Sequence, residues 1–209
     1  MPPLRAREST SMKIFVRLHA WLEKISRAAV WIGGAALLLC AFMVSIDVIM
    51  RKLFSITMSG SDEISGYVFA AATAWAYSYC LLHRSHIRID ALYGVLPVWL
   101  RAVLDALGLA LLLFYMAYLT NKAVDVFLTS WERDSVSITT LSVPQWIPQL
   151  LWVSGLTWFV ITLTFLLVYV LVSLVLGDLT TVQNVAGALS AEKKIDEETH
   201  GMDAMRDSG

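Results

Sequence analysis

Residues 83–90 read His-Arg-Ser-His-Ile-Arg-Ile-Asp and directly follow an apolar run. On a helix, His83, His86 and Asp90 would stand at i, i+3 and i+7 and share one face. Two imidazoles and a carboxylate so placed could ligate a transition metal, and a histidine could hold haem iron. Both chemistries ask for more than is here. A His-x-x-His pair with no cysteine pair or glutamate partner is an incomplete zinc set. Haem inside a bundle needs histidines on facing helices, whereas His19 and His200 lie in flanking segments. The remaining reading is a polar turn at a membrane edge. Arg84 and Arg88 would hold it on the cytoplasmic side, and Asp90 is available to cap the next helix.

A second polar cluster is Ser59-Gly-Ser-Asp-Glu-Ile-Ser-Gly-Tyr67. Ser59 and Asp62 have capping-box spacing, and Asp62 and Glu63 suit the positive end of a helix dipole. Two adjacent acids in an outer loop could equally meet a partner, and both readings stand. Three further charge sets, Asp47 with Arg51, Arg101 with Asp105 and Lys122 with Asp125, sit three or four residues apart near the ends of apolar runs. They read as interface ion pairs with snorkelling side chains.

These residues must be positioned by something, and the composition says what. The 209-residue chain is 57% hydrophobic and only 16% charged, against about 45–50% and about 25% in soluble domains. Mean hydropathy is +0.65. The net charge of −1 gives no basic field and so no case for nucleic acid. Cys40 and Cys80 both fall inside apolar runs, as buried free thiols do.

A membrane helix takes about 20 mostly apolar residues. Four stretches qualify, at about 28–50, 64–82, 98–127 and 149–176. The first is longer than the apolar core of a signal peptide, about 7–15 residues, and reads as a mature span. Twelve of the sixteen Lys and Arg fall in the N-terminal segment, the second connection and the tail, and four on the other side. That imbalance places both termini in the cytoplasm. Residues 13–27 place Ile14, Phe15, Leu18, Trp21, Leu22 and Ile25 on one helical face and Lys13, Arg17, Glu23, Lys24 and Arg27 on another. This pattern predicts a cytoplasmic amphipathic helix in the interface, with an extension of the first span as the other reading.

The expected fold is therefore an all-α membrane protein with four transmembrane helices, preceded by a cytoplasmic amphipathic interfacial helix. Its parts are an N-terminal segment at 1–27, a membrane domain at 28–177 and a mobile cytoplasmic tail at 178–209. Trp99, Trp131, Trp146 and Trp152 flank spans, where indoles favour the headgroup level. Trp75 instead lies mid-span among Ala70, Ala71, Ala72, Ala74 and Ala76, in a helix suited to close packing on protein. The centres of the spans are nearly free of charge, and the fourth has none from Gln149 to Gly177. A substrate carrier usually needs charged or broken-helix elements near the midplane. The chain is therefore not expected to be a transporting core by itself, nor an enzyme.

The clusters taken in order resemble a known family. Arg51-x-x-Phe54, then Glu63 opening a span that contains Phe69, then His86-Ile-Arg-Ile-Asp90 after it, are similar to the small, DctQ-type membrane subunit of tripartite ATP-independent periplasmic (TRAP) transporters. Pro144-x-Trp146-x-Pro148 before the fourth span agrees in position. The chain departs from the family in lacking a glycine late in the second span, near Ser78 and Tyr79, and in reading Val153-Ser154-Gly155 where Pro-x-Gly is usual. The resemblance implies a bacterial inner-membrane protein that braces a large multi-span subunit and helps dock a periplasmic substrate-binding protein during uptake of organic acids. Sodium would bind the large subunit, and this chain would hold no cofactor. It points to Arg51, Asp62 and Glu63 near the periplasmic face, Phe54 and Phe69 in the motif, and Trp75 at the large-subunit interface. His86, Arg88 and Asp90 would hold the cytoplasmic turn. Two alternatives from other classes are a haem-binding redox subunit, which a Soret band would reveal, and an independent oligomeric transporter, which would transport alone in liposomes.

Overall fold

The structure is a computed structural model, and it describes residues 10–83 and 97–175. Four helices account for most of them: α1 (Thr10–Phe54), α2 (Ser61–Leu82), α3 (Val98–Glu132) and α4 (Trp146–Val175). Three of these, α1, α3 and α4, are long and apolar enough to cross a membrane. At 22 residues, α2 is about 33 Å long. That is enough to cross a hydrocarbon core of about 30 Å, though its Ser, Thr and Tyr content leaves it without a stretch as hydropathic as those of the other three.

Residues 13–27 do not stand apart as a separate interfacial helix. They form the first part of α1, a single 45-residue helix. No proline interrupts the sequence between Thr10 and Phe54, and the Gly33-Gly34 pair alone does not break it. Within this segment Leu22 and Ser26 are buried while Trp21 is half exposed, so part of the face packs on protein.

The other helix ends also run past the apolar stretches. The α3 helix continues to Glu132 because its last turns satisfy themselves. Lys122 pairs with Asp125 at 2.9 Å, and the Thr129 hydroxyl donates to the Asp125 carbonyl at 2.8 Å. Pro148 sits in the first turn of α4, where the missing amide N–H costs no helical bond.

The chain divides into two compact units. The first comprises residues 1–83 with 112–165, and the second 84–111 with 166–209. In the first, α1 and α2 run antiparallel, with Gly33 against Ala72 and Glu23 near His83. Its core includes Leu22, Ala74, Leu156, Phe159 and Leu163. In the second, Ala102, Asp105, Leu109, Leu166 and Val170 are buried. Cys40 and Cys80 are both free thiols, the first buried and the second half-buried.

Candidate functional site

Where α1 ends, the chain must turn back into α2 through residues 55–60. A return loop at a membrane edge has backbone N–H groups with few partners. Ser55 and Gly60 take positive φ, 56° and 96°, and Asp47 supplies the acceptor. Its carboxylate accepts from the Met58 backbone N–H at 2.5 Å and from the Arg51 guanidinium one turn along α1. The Ser61 hydroxyl is a further partner. Asp47 is 1% exposed, so this pair is more than a surface ion pair. It is the anchor that fixes the loop to the helix.

The α2 N-terminus differs from the capping box that Ser59 and Asp62 suggest. Gly60 occupies the cap position in a left-handed conformation, with no side-chain cap. A β-carbon there would lie 2.0 Å from Leu141 Cδ1. The positive φ favours glycine at this position, and a β-carbon would in addition displace the Leu141 side chain.

That loop carries the partners of Glu63. Val136 and Pro144 form an antiparallel bridge, and the Ser137 N–H donates to the Val143 carbonyl at 2.9 Å. Trp131 and Trp146 close its base edge to face at 4.9 Å. The narrow hairpin so formed presents Ser137 and Thr139, whose hydroxyls are 2.7 Å apart. Thr139 donates to one Glu63 oxygen, and the Tyr67 hydroxyl donates to the other at 2.5 Å. Glu63 precedes the apolar run of α2. Hydrogen bonds from Ser137, Thr139 and Tyr67 hold its carboxyl below the usual carboxylate range.

Below these polar ties lies a seam of small residues and indoles. A β-carbon on Gly155 would lie 2.9 Å from Ala74 Cβ and 2.8 Å from Trp75 Cδ1, so α4 and α2 are in backbone contact there. Trp75 donates to the Leu151 carbonyl at 3.1 Å and stacks on Trp158 at 6.4 Å. Trp158 in turn donates to the buried Ser26 hydroxyl at 3.2 Å and meets Trp21 edge to face at 5.6 Å.

A family model described as "Tripartite ATP-independent periplasmic transporters, DctQ component" matches residues 40–177. The chain belongs to this DctQ family. No curated protein and no solved structure matches it significantly. The DctQ match contains Asp47, Arg51, Glu63, the 133–145 loop and Gly155, and starts inside α1.

Within this DctQ chain the expected site residues do not form one cluster. Arg51 pairs with Asp47 one turn back on α1, and Glu63 is tied to Thr139 of the 133–145 loop. Asp62 is exposed beside Glu63. Phe54 and Phe69 are 63% and 61% exposed, free to meet lipid or protein. Trp75 is half-buried, bonded to Leu151 and stacked on Trp158 within the chain, and it also lines an open apolar groove. His86, Arg88 and Asp90 lie outside the described residues. Their neighbour His83 sits 3.6 Å from Glu23 and 4.1 Å from the Tyr79 ring, and Glu23 also accepts from Arg27 at 2.5 Å. Among the described residues, no group of three or more His, Cys, Asp or Glu could hold a metal ion. Ser137 and Thr139 carry the site without having stood out in the sequence, while Asp47 reads there only as the ion-pair partner of Arg51 and Gly155 only as part of Val153-Ser154-Gly155. Their partners are remote or backbone, and only an acid inside an apolar run, Asp47, gave a signal.

Proposed function

We propose that this DctQ chain acts as the static membrane brace of a sodium-coupled TRAP transporter. It holds the large multi-span subunit in place and helps a periplasmic substrate-binding protein deliver an organic acid. The family match over residues 40–177 carries this reading. The geometry supports it in kind. Backbone-close helices and two carboxylate-tied loops suit a scaffold that keeps its shape while a partner moves.

In this proposal all four helices cross the bacterial inner membrane and both termini are cytoplasmic. The antiparallel α1–α2 pair and the length of α2 support that count. Contact with α1 at Ala72 and with α4 at Ala74 and Trp75 explains why α2 tolerates its polar side chains. The chain acts without catalysis or cofactor of its own. Sodium and substrate belong to the large subunit.

The test is reconstitution. The large subunit encoded beside this chain is placed in liposomes with and without it, and supplied with the periplasmic protein, candidate organic acids and a sodium gradient. Uptake that requires both membrane chains, the binding protein and inward sodium is the expected result. Uptake by this chain alone, or undiminished uptake without it, would overturn the proposal.

A further inference from the structure

Within the first unit, Met116, Thr120 and Ala123 are buried and define the inward face of α3. At about 100° per residue, Phe114, Tyr115, Tyr118, Asn121, Lys122 and Asp125 fall on the opposite face, and all six are exposed. Tyr115 and Tyr118 are 60% and 62% exposed. The Lys122 and Asp125 side chains are 57% exposed each. Neither phenol makes a hydrogen bond among the described residues. A helix long and apolar enough to cross a membrane thus turns polar groups away from its own chain.

Trp131 marks their depth. It closes the base of the 133–145 hairpin against Trp146, and indoles favour the headgroup level. At about 1.5 Å per residue, Lys122 lies about 14 Å along the axis from Trp131, Tyr118 about 20 Å and Tyr115 about 24 Å. A headgroup layer of about 5–8 Å borders a hydrocarbon core of about 30 Å. With that whole layer subtracted, both phenols fall within about 4 Å of the midplane. Side chains on a helix lean toward its N-terminus, so the Tyr118 hydroxyl is turned away from the Trp131 end and does not reach that interface.

We propose that this face of α3 docks against a membrane helix of the large subunit, one that presents hydrogen-bond acceptors at the depth of the two phenols and beside Lys122. The identity of the partner rests on the brace reading above.

Chemistry separates the occupants. Hydrocarbon has no acceptor, so a phenol or an amide that faces lipid stays unsatisfied. Polar and ionisable groups inside spans face protein or a water-filled cavity instead. A second copy would share this chain's orientation in the membrane, so the two-fold axis would lie along the bilayer normal. Each residue would then face its own counterpart at its own depth, Lys122 against Lys122 and Asp125 against Asp125. Like charges so placed repel, and strongly where the dielectric constant is low. A different chain is under no such restriction and can set a carbonyl, amide or carboxylate against each donor.

The test co-expresses the full chain with the large subunit encoded beside it. p-Benzoylphenylalanine takes the place of Tyr118, and intact membranes are irradiated. The expected product is an adduct between the two membrane chains, absent when the large subunit is not expressed. The double variant Tyr115→Phe/Tyr118→Phe removes two hydroxyls and nothing else. In mild detergent it is expected to raise the dissociation constant of the two chains about fivefold to tenfold. The melting temperature of this chain alone should not change, because both side chains are exposed. An adduct with a second copy, or with lipid alone, would overturn the proposal, as would wild-type affinity in the double variant. If the wild-type chains copurify and no adduct forms at position 118, the brace stands and this docking face falls. If they neither copurify nor cross-link, both fall.

Discussion

Asp47 and Glu63 are both acids at the head of a helix–loop–helix turn, yet they do different work. Asp47 is buried and serves a backbone N–H, so its loss leaves Met58 without an acceptor inside the fold. Asp47→Ala is expected to lower the melting temperature in detergent by several degrees, and Asp47→Asn, which keeps one acceptor oxygen, by less. Arg51→Gln should be milder still, because half of the Arg51 side chain is exposed. A melt in which Arg51→Gln matches Asp47→Ala would refute the anchoring of the loop by the bond from the Met58 N–H to Asp47. Glu63 gives a pH signature. Its folded-state carboxyl titrates below the ordinary value of 4.5. The stability it contributes is therefore present above that value and is lost as pH falls through the lowered one. Hydrogen exchange of residues 135–145 should accelerate as pH descends below about 4.5, after correction for intrinsic rates. Glu63→Gln should remove that dependence.

At the scale of the element, glycine positions sort by what they touch. Gly155 faces Ala74 and Trp75 at contact distance, whereas Gly34 has open space where a β-carbon would go. Gly155→Leu is expected to cost about 1–3 kcal/mol through overpacking, with the Trp75–Trp158 stack lost. Gly34→Leu should be tolerated. Equal melting temperatures for the two variants would refute the close approach of α2 and α4. The same elements show what the sequence could and could not tell. Hydropathy located all four helices, because apolar length is a strong and local signal. It missed their ends. The α1 helix runs from Thr10 to Phe54 where the apolar stretch is 28–50, since polar residues outside a bilayer core continue a helix as readily as apolar ones. Ser59 was the better cap by residue type, but the cap position takes a φ of 96°, a left-handed conformation that favours Gly60. Glu63 was visible as an acid, while its partner Thr139, 76 residues away, was not.

For the whole molecule, the order of motifs was more informative than any one of them. Arg51, Phe54, Glu63 and Phe69 are each ordinary, yet their sequence along the chain pointed to the family that the match over 40–177 establishes. The charge imbalance predicts both termini on one side. Single cysteines at Ser11 and Ser208, in a background where Cys40 and Cys80 are replaced by alanine, should resist an impermeant thiol reagent added to intact spheroplasts. A cysteine at Ile138, 103% exposed on the 133–145 loop, should react. Labelling of either terminus from outside would refute the orientation.

The row Trp21–Trp158–Trp75 has a further consequence. Three indoles at 5.6 Å and 6.4 Å, one from each of α1, α4 and α2, are close enough for their electronic transitions to mix. The protein therefore carries its own chromophore array, and its far-ultraviolet circular dichroism should contain an exciton couplet that vanishes in Trp158→Phe. Any event that shifts these helices relative to one another would change the shape of that band, so the moment of assembly could be followed by light alone, with no label attached.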